Sequence, residues 1–561
     1  MSCTAVPEPP CEAPPSLPSE TNPKRDSVVE KWLGDNLTAI AFAVVLAALA
    51  LRMFVATGTY LNPDEALHYI LINQPSAFLA YKASLTNAHP PLLYMVIYFW
   101  HFLGRSELML RMPSVLAGAA FCWFVFKWIE SLFGKAAGII SLMVVAFCPA
   151  LVNISAEVRQ YSPLLVCAAA ALYFLEVAFQ ETSVRRMWCF SVALYLAILS
   201  HYSAVFLAGA LGLYALVRIA DSKPPRRFLV AWASGQAGAL AIYGFLYVTH
   251  VSKIKSSIEA WDQPFYGAQF HSQNVDLADF TTTQTSTIFY YLFQQPRVSQ
   301  AMLLLFLAGV VFLFVRGLSP GRASSRHFAI LLFLPFLAIW GAGVAGIYPY
   351  LGSRHTIVLA PFAIGAASFL LASAANHRLW ISIPLAVVLM GASNVSGAPP
   401  QPYIARQDQQ KALMLAAVKD MQQSIPPHHL ILVDLQSSLL ARYYLCDPKV
   451  ITPVDESSHA GFTSFACGHP IVSLDDHYWR LTTGSFATQF EKAARAYGLR
   501  PGDRIWVFQS GWGANLDEKL LEYFPKFRCL TSKRYGANIV VIPFVVSSDF
   551  SPAVPVENCG N

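Results

Sequence analysis

Residues 90–104 read Pro90-Pro-Leu-Leu-Tyr-Met-Val-Ile-Tyr-Phe-Trp-His-Phe-Leu-Gly104, and whether this run crosses a membrane decides the side on which everything after it lies. It is apolar enough to count as a span. If it crossed, the loop with Lys127 and Lys135 would move outside. Arg185-Arg186, Lys223 with Arg226-Arg227, Arg316 with Arg322 and Arg326, and His377-Arg378 would follow. Basic residues of short loops favour the cytoplasmic side. The run is therefore read as a juxtamembrane helix in the outer interface, where Tyr and Trp accumulate. The competing reading is an ordinary packed aromatic stripe.

Outward from this run the chain is built for a bilayer. Of its 561 residues 55% are hydrophobic and only 13% charged, with a mean hydropathy of +0.45. Spans of ~20 apolar residues are expected near 37–56, 108–131, 135–153, 160–181, 187–200, 202–219, 228–250, 299–316, 327–346, 355–375 and 379–396. This predicts a polytopic α-helical membrane protein of about eleven spans occupying residues 35–397. With the basic loops inside, the external loops are 57–107, 154–159, the turn at His201, 251–298 and 347–354. Residues 1–34, rich in Pro, Ser and Glu around Lys24-Arg25, read as a disordered cytoplasmic tail without a cleavable signal. The net charge of +6 is spread over loops, so a nucleic-acid partner is not expected.

From about residue 398 charge returns. The β-rich runs 430–434, 504–508 and 538–542 alternate with helical patterns near 407–423, 484–498 and 514–523, which predicts a C-terminal soluble α/β domain over 398–561 on the external side. The ten cysteines form no zinc spacing. Cys122, Cys148, Cys167 and Cys189 read as buried thiols. Cys446, Cys467, Cys529 and Cys559 can pair only if this domain is exported.

The polar residues that could carry chemistry all fall in external loops. Asp64 and Glu65, with His68 and Tyr69, follow the first span; then come Asn87-Ala-His89-Pro-Pro91, Arg105, Glu107 and Arg111, then Glu157-Val-Arg159-Gln-Tyr161, and finally Arg354-His355. Carboxylates at a hydrocarbon boundary are costly and mark function. Arginines at the mouths of two spans can hold a phosphate in bidentate fashion. A carboxylate facing them can take a proton from an acceptor hydroxyl, the general-base half of an inverting glycosyl transfer. Each residue also has a plain reading. Asp64 fits an N-cap beside Pro63, Arg111 and Arg159 fit snorkelling side chains, His89 fits a turn residue, and Glu157 with Arg159 fits a local ion pair.

The order of the acidic pair, the His-Pro-Pro-Leu at 89–92, Arg-Met-Pro-Ser-Val-Leu-Ala-Gly at 111–118, Glu-Val-Arg-Gln-Tyr-Ser-Pro at 157–163 and Ser-Arg-His-Thr-Ile-Val-Leu-Ala-Pro at 353–361 resembles GT-C glycosyltransferases. The nearest branch holds bacterial relatives of the dolichyl-phosphate-mannose protein mannosyltransferases and the lipid A aminoarabinose transferases. The resemblance spans roughly residues 35–375. It implies a polyprenyl-phosphate sugar donor and inverting transfer on the periplasmic face of the cytoplasmic membrane, with Asp64 as catalytic base and Glu65 as its partner. It also implies donor-phosphate binding by Arg159 and Arg354. Some members hold a divalent metal near the first loop, where His89 stands. Glu157, Tyr161 and His355 are further candidates for substrate or metal. His355 replaces a tyrosine frequent in the late motif.

Two other classes compete. A transporter or flippase of a lipid-linked substrate would carry ionisable groups inside its spans, and a scaffold presenting the C-terminal domain would have no use for the acidic pair. The sugar and the acceptor, whether protein, lipid or glycan, are not legible.

Overall fold

The computed structural model describes residues 28–253, 270, 275–316, 325–395, 410–446, 454–459, 461–476, 481–511, 516–523, 528–529 and 532–546. Most of the expected tail 1–34, much of the loop 251–298 and Cys559 lie outside them.

The membrane part runs α1 (Val28–Asp35), α2 (Leu37–Gly58), α3 (Pro63–Ile72), α4 (Ala77–Ser84), α5 (Leu92–Trp100), α6 (Glu107–Phe133), α7 (Lys135–Phe147), α8 (Pro149–Ser155), α9 (Tyr161–Glu181), α10 (Val184–Ser200), α11 (Ala204–Ser222) and α12 (Arg226–Leu246). After the loop come α13 (Leu277–Phe293), α14 (Pro296–Arg316), α15 (Ser325–Val344), α16 (Ala360–Ala374) and α17 (Leu379–Val395). Among the described residues eight helices are long and apolar enough to cross a membrane, and the bent pair α7–α8 makes a ninth. All eleven expected segments are helical, but α10 and α17 have only 17 residues each. At 1.5 Å per residue they reach about 26 Å, short of a ~30 Å hydrocarbon core. The run at 92–103 is shorter still: nine residues of α-helix and three of 3-10 helix.

The bend between α7 and α8, 59°, follows from Pro149, which has no N–H to give to Val145 four residues back. Arg52 of α2 replaces it. Its guanidinium donates to Val145 O at 3.2 Å and Ala146 O at 2.9 Å, and it is fully enclosed. Gly118 of α6 makes room, since a Cβ there would lie 2.3 Å from Ser155 Oγ and 3.0 Å from Arg52 Nε. A second intramembrane charge is paired: Arg218 donates to both oxygens of Glu176 at 3.0 Å, and Tyr214 donates to the same carboxylate at 2.8 Å. The spans thus carry charge, but these charges are spent on tying helices together.

The C-terminal part is a mixed eight-stranded sheet in the order β2-β3-β4-β1-β5-β8-β6, with β7 paired to β8. Its strands are β1 (Leu430–Val433), β2 (Val454–His459), β3 (Phe462–Ala466), β4 (Pro470–Leu474), β5 (Arg504–Ser510), β6 (Arg528–Cys529), β7 (Lys533–Tyr535) and β8 (Ile539–Val545). The helices are α18 (Lys411–Ser424), α19 (Leu435–Tyr444), α20 (Thr483–Ala496) and α21 (Leu516–Tyr523). Alternation along β1 sends Leu430 and Leu432 to a core shared with Phe486 and Phe490 of α20 and Leu516 and Leu520 of α21. Ile431 and Val433 point the other way, into a core shared with Tyr60, Leu61, Ala66 and Tyr69 of the membrane part. That face of the sheet is covered by α19, which packs in turn on α3. Cys446 at the end of α19 is disulfide-bonded to Cys467.

Candidate active site

The site is assembled around the first turn of α3. Asn62 caps that helix: its side chain accepts from Glu65 N at 3.0 Å, while Glu65 accepts from Asn62 N at 2.9 Å, a reciprocal capping box. Pro63 occupies the first helical position, where a missing N–H costs nothing. Capping is thus done by Asn62, not by Asp64 as a plain reading allowed. The Asp64 carboxylate is left to face outward, 27% exposed.

Glu65 sits differently from the catalytic partner expected of it. It is enclosed, and its oxygens take Arg111 Nε at 2.8 Å, Arg111 Nη2 at 2.7 Å and Val158 N at 2.8 Å besides the cap. Arg111 does not snorkel. Its Nη1 donates to Ala56 O and Thr59 O and its Nη2 to Tyr60 O, so it satisfies the carbonyls that the end of α2 leaves open. Removing either member of this pair would strand a buried charge, at a cost of about 3–5 kcal/mol.

Because Val158 is tied to Glu65, its neighbour Arg159 is delivered to Asp64. Arg159 Nη1 and Arg354 Nη2 both lie 2.9 Å from Asp64 Oδ2. Arg159 is buried and Arg354 is 23% exposed. Arg354 arrives on a loop pressed against α13, where Gly352 N donates to Thr287 Oγ1 at 2.8 Å. A Cβ on Gly352 would fall 1.9 Å from Thr287 O, so only glycine passes. Burial pushes the Asp64 carboxyl up, but Arg159 and then Arg354 pull it down further, to about 2. Glu157 is half-buried; burial, then the Glu65 carboxylate, raises it to about 7.

Beside the Asp64–arginine cluster runs a row of rings. His68 stacks on Tyr94 at 4.8 Å and lies 6.4 Å from His89; His89 is 5.6 Å from His201; His201 is 5.1 Å from Tyr161; Tyr161 is 6.3 Å from His355. The Arg159 guanidinium stands 5.7 Å over the Tyr161 ring. Burial, then Arg159, lowers His68 to about 4 and His201 to about 3, and holds His89 well below the usual imidazole range. The row is neutral. Tyr161 Oη, His89 Nδ1 and both amide atoms of Gln160 are shielded from solvent with no hydrogen-bond partner among the described residues. Buried polar groups of this kind cost about 1–3 kcal/mol each unless answered. Among the described residues no three His, Cys, Asp or Glu side chains stand where they could hold a metal ion.

Next to the Arg354 loop lies an apolar cavity of about 440 Å³ between α13, α14 and α15, lined by Phe306, Phe336, Leu337 and Trp340 and closed by Tyr350. Of the sequence candidates, Asp64, Arg159, Arg354, Tyr161, His89 and His355 come together, whereas Glu65 is walled off and Glu157 meets none of the six rings but feels the charges of Arg159 and Arg354. His201, Tyr94 and Gln160 escaped sequence reasoning as site residues. A lone His breaking the apolar stretch 187–219 was the available signal for the first of them.

Residues 88–248 match the family model described as dolichyl-phosphate-mannose-protein mannosyltransferase. No curated protein matches the chain. Among solved structures, ArnT from Cupriavidus metallidurans bound to undecaprenyl phosphate superposes with a TM-score of 0.52 at 13% identity, covering 90% of this chain and 98% of that one. The Archaeoglobus fulgidus oligosaccharyltransferase tethered with an acceptor peptide gives 0.47 at 12%, covering 86% and 70%. The arabinofuranosyltransferase AftD from Mycobacteria gives 0.47 at 14%, covering 91% and 40%. The likeness to ArnT defines the fold: this is a polytopic helical protein with a C-terminal mixed sheet, built as ArnT is.

Proposed function

We propose that the protein is an inverting glycosyltransferase. It takes a sugar from a polyprenyl-phosphate-linked donor and passes it to a hydroxyl-bearing acceptor at the external, periplasmic face of the cytoplasmic membrane. One observation carries the reading: two arginines from separate parts of the chain converge on a single oxygen of Asp64. A donor phosphodiester offers its own oxygens to the same two guanidinium forks. An Asp64 relieved of one or both arginines loses the interactions that depress its carboxyl, and becomes a better base.

The step then balances. The acceptor oxygen attacks the anomeric carbon from the face opposite the phosphate, the C–O bond to phosphate breaks, the acceptor proton passes to Asp64, and the leaving phosphate carries its added negative charge onto Arg159 and Arg354. The row of neutral rings with Gln160 suits a sugar, whose hydroxyls answer Tyr161 Oη, His89 Nδ1 and the amide. The apolar cavity beside Arg354 suits the first isoprenoid units of the lipid. The matched family description names a dolichyl-phosphate-mannose donor, and the ArnT structure holds undecaprenyl phosphate; both agree with a lipid phosphate here. The Cys446–Cys467 disulfide belongs to an oxidising compartment, in keeping with an external C-terminal part. A flippase gains no support, since Arg52, Glu176 and Arg218 are bonded within the helix bundle.

The decisive experiment is Asp64→Asn, assayed for transfer from a polyprenyl-phosphate sugar in detergent. A loss of at least ~100-fold with normal expression is expected. Near-normal turnover in a well-folded Asn variant would end the reading.

A further inference from the structure

We propose that Tyr444, contributed by the C-terminal domain, is a positioning residue for the transfer step, holding the turn from which the Asp64 helix starts. The proposal rests on Asp64 being the catalytic base.

The turn Thr59–Asn62 joins the first span to α3 and is held from two sides. From below, Arg111 of α6 takes the carbonyls of Ala56, Thr59 and Tyr60. That leaves the Leu61 N–H, which donates to Tyr444 Oη at 2.9 Å across 383 residues of sequence. The Tyr444 hydroxyl in turn donates to Glu107 Oε1 at 2.9 Å. Glu107, buried in the first turn of α6, sits one helical turn from Arg111, and its other oxygen pairs with Lys411 of α18. The phenol therefore bridges the backbone just before Asp64 to the helix that carries Arg111. Phenylalanine could fill the space but could not make the bridge.

The surroundings keep Tyr444 in place. Its neighbour Tyr443 donates to Arg105 O at 3.0 Å and meets the Tyr69 ring edge-on at 5.0 Å. Two residues on, Cys446 is fastened to Cys467 at the end of the β3 hairpin. Gly511, with φ +76°, lets its loop close on Pro63, where a Cβ would come within 3.0 Å of the proline ring. Of these contacts the Leu61 bond and the approach of Gly511 to Pro63 meet the start of α3, and none touches Arg159 or Arg354 directly. Arg354 stands on a loop held separately at Thr287, so the tyrosine should govern where the base stands more than how the phosphate is bound.

The test compares Tyr444→Phe, Glu107→Gln and the double variant in the full-length protein. The readouts are kcat and KM with a polyprenyl-phosphate sugar, affinity for undecaprenyl phosphate alone, and thermal unfolding. Misplacement of a base by a fraction of an ångström predicts a kcat reduced about tenfold or more in Tyr444→Phe. KM and lipid-phosphate affinity should stay close to wild type, and the melting temperature should fall only modestly, because the Leu61 N–H and a Glu107 oxygen lose their partner. The double variant should be no worse than the poorer single one, because both remove one bridge. Wild-type kcat in Tyr444→Phe overturns the proposal, as does a joint fall of kcat, affinity and melting temperature. If Asp64→Asn turned over normally, the functional reading itself would fail, a result that Tyr444→Phe cannot mimic.

Discussion

At the residue scale the site depends on a division of labour between two adjacent carboxylates. Glu65 is saturated by Arg111 and two backbone N–H groups, so Asp64 alone faces the arginines. Sequence cannot distinguish them, because the distinction lies in Asn62 taking the cap and in Arg111 lying 46 residues away. Arg159→Lys and Arg354→Lys keep the charge but lose the planar fork. Each should weaken binding of undecaprenyl phosphate about tenfold, the worth of one charge-assisted bond; unchanged affinity in both would remove the phosphate from these two residues. Glu157 offers a pH test. Burial and the Glu65 carboxylate raise its carboxyl to about 7 from 4.5, so between these values Glu157 binds its proton more tightly in the native state and its own contribution to stability falls as pH rises. His68, His89 and His201, lowered in the fold, contribute the opposite slope over much of this range, so the test is a difference: Glu157→Gln cannot ionise, and its melting temperature minus that of the wild type should rise from about pH 4.5 to about 7.

At the scale of elements, each of the eleven apolar stretches is helical but two are shorter than a span, and α1, α3, α4 and α13 fall in stretches read as tail or loop. The 17-residue α10 and α17 are apolar without being long. The break between α7 and α8 could be read from Pro149, whereas its repair by Arg52 could not, since that bond joins residues 93 and 94 positions apart. In the C-terminal part the three apolar runs became β1, β5 and β8. The antiparallel β2–β3–β4 unit went unseen because Val454–His459 is largely polar and Phe462–Ala466, Phe-Thr-Ser-Phe-Ala, does not alternate. The segment Leu92–Leu103 carries a prediction of its own. At twelve residues it extends about 18 Å as a helix and should lie in the outer interface. Impermeant thiol reagents applied outside should reach a cysteine placed at position 105 and miss one at 133; the reverse would invert the topology and separate the arginines from an external acceptor.

For the molecule as a whole, the two halves read separately in the sequence as a bundle and an appended domain share one core around Tyr60, Leu61 and Tyr69. No periodicity announces such a core, because its members come from opposite ends of the chain. The bond from Leu61 to Tyr444 has a consequence for the time course of synthesis. A nascent chain leaving the ribosome has threaded every helix of the bundle, and carries Asp64, Arg159 and Arg354, well before residue 444 is made. By the positioning proposed for Tyr444, such a chain can gather lipid phosphate but lacks the fastening that aims its base, so sugar transfer reaches full rate only after the segment carrying Tyr444 has been made and folded.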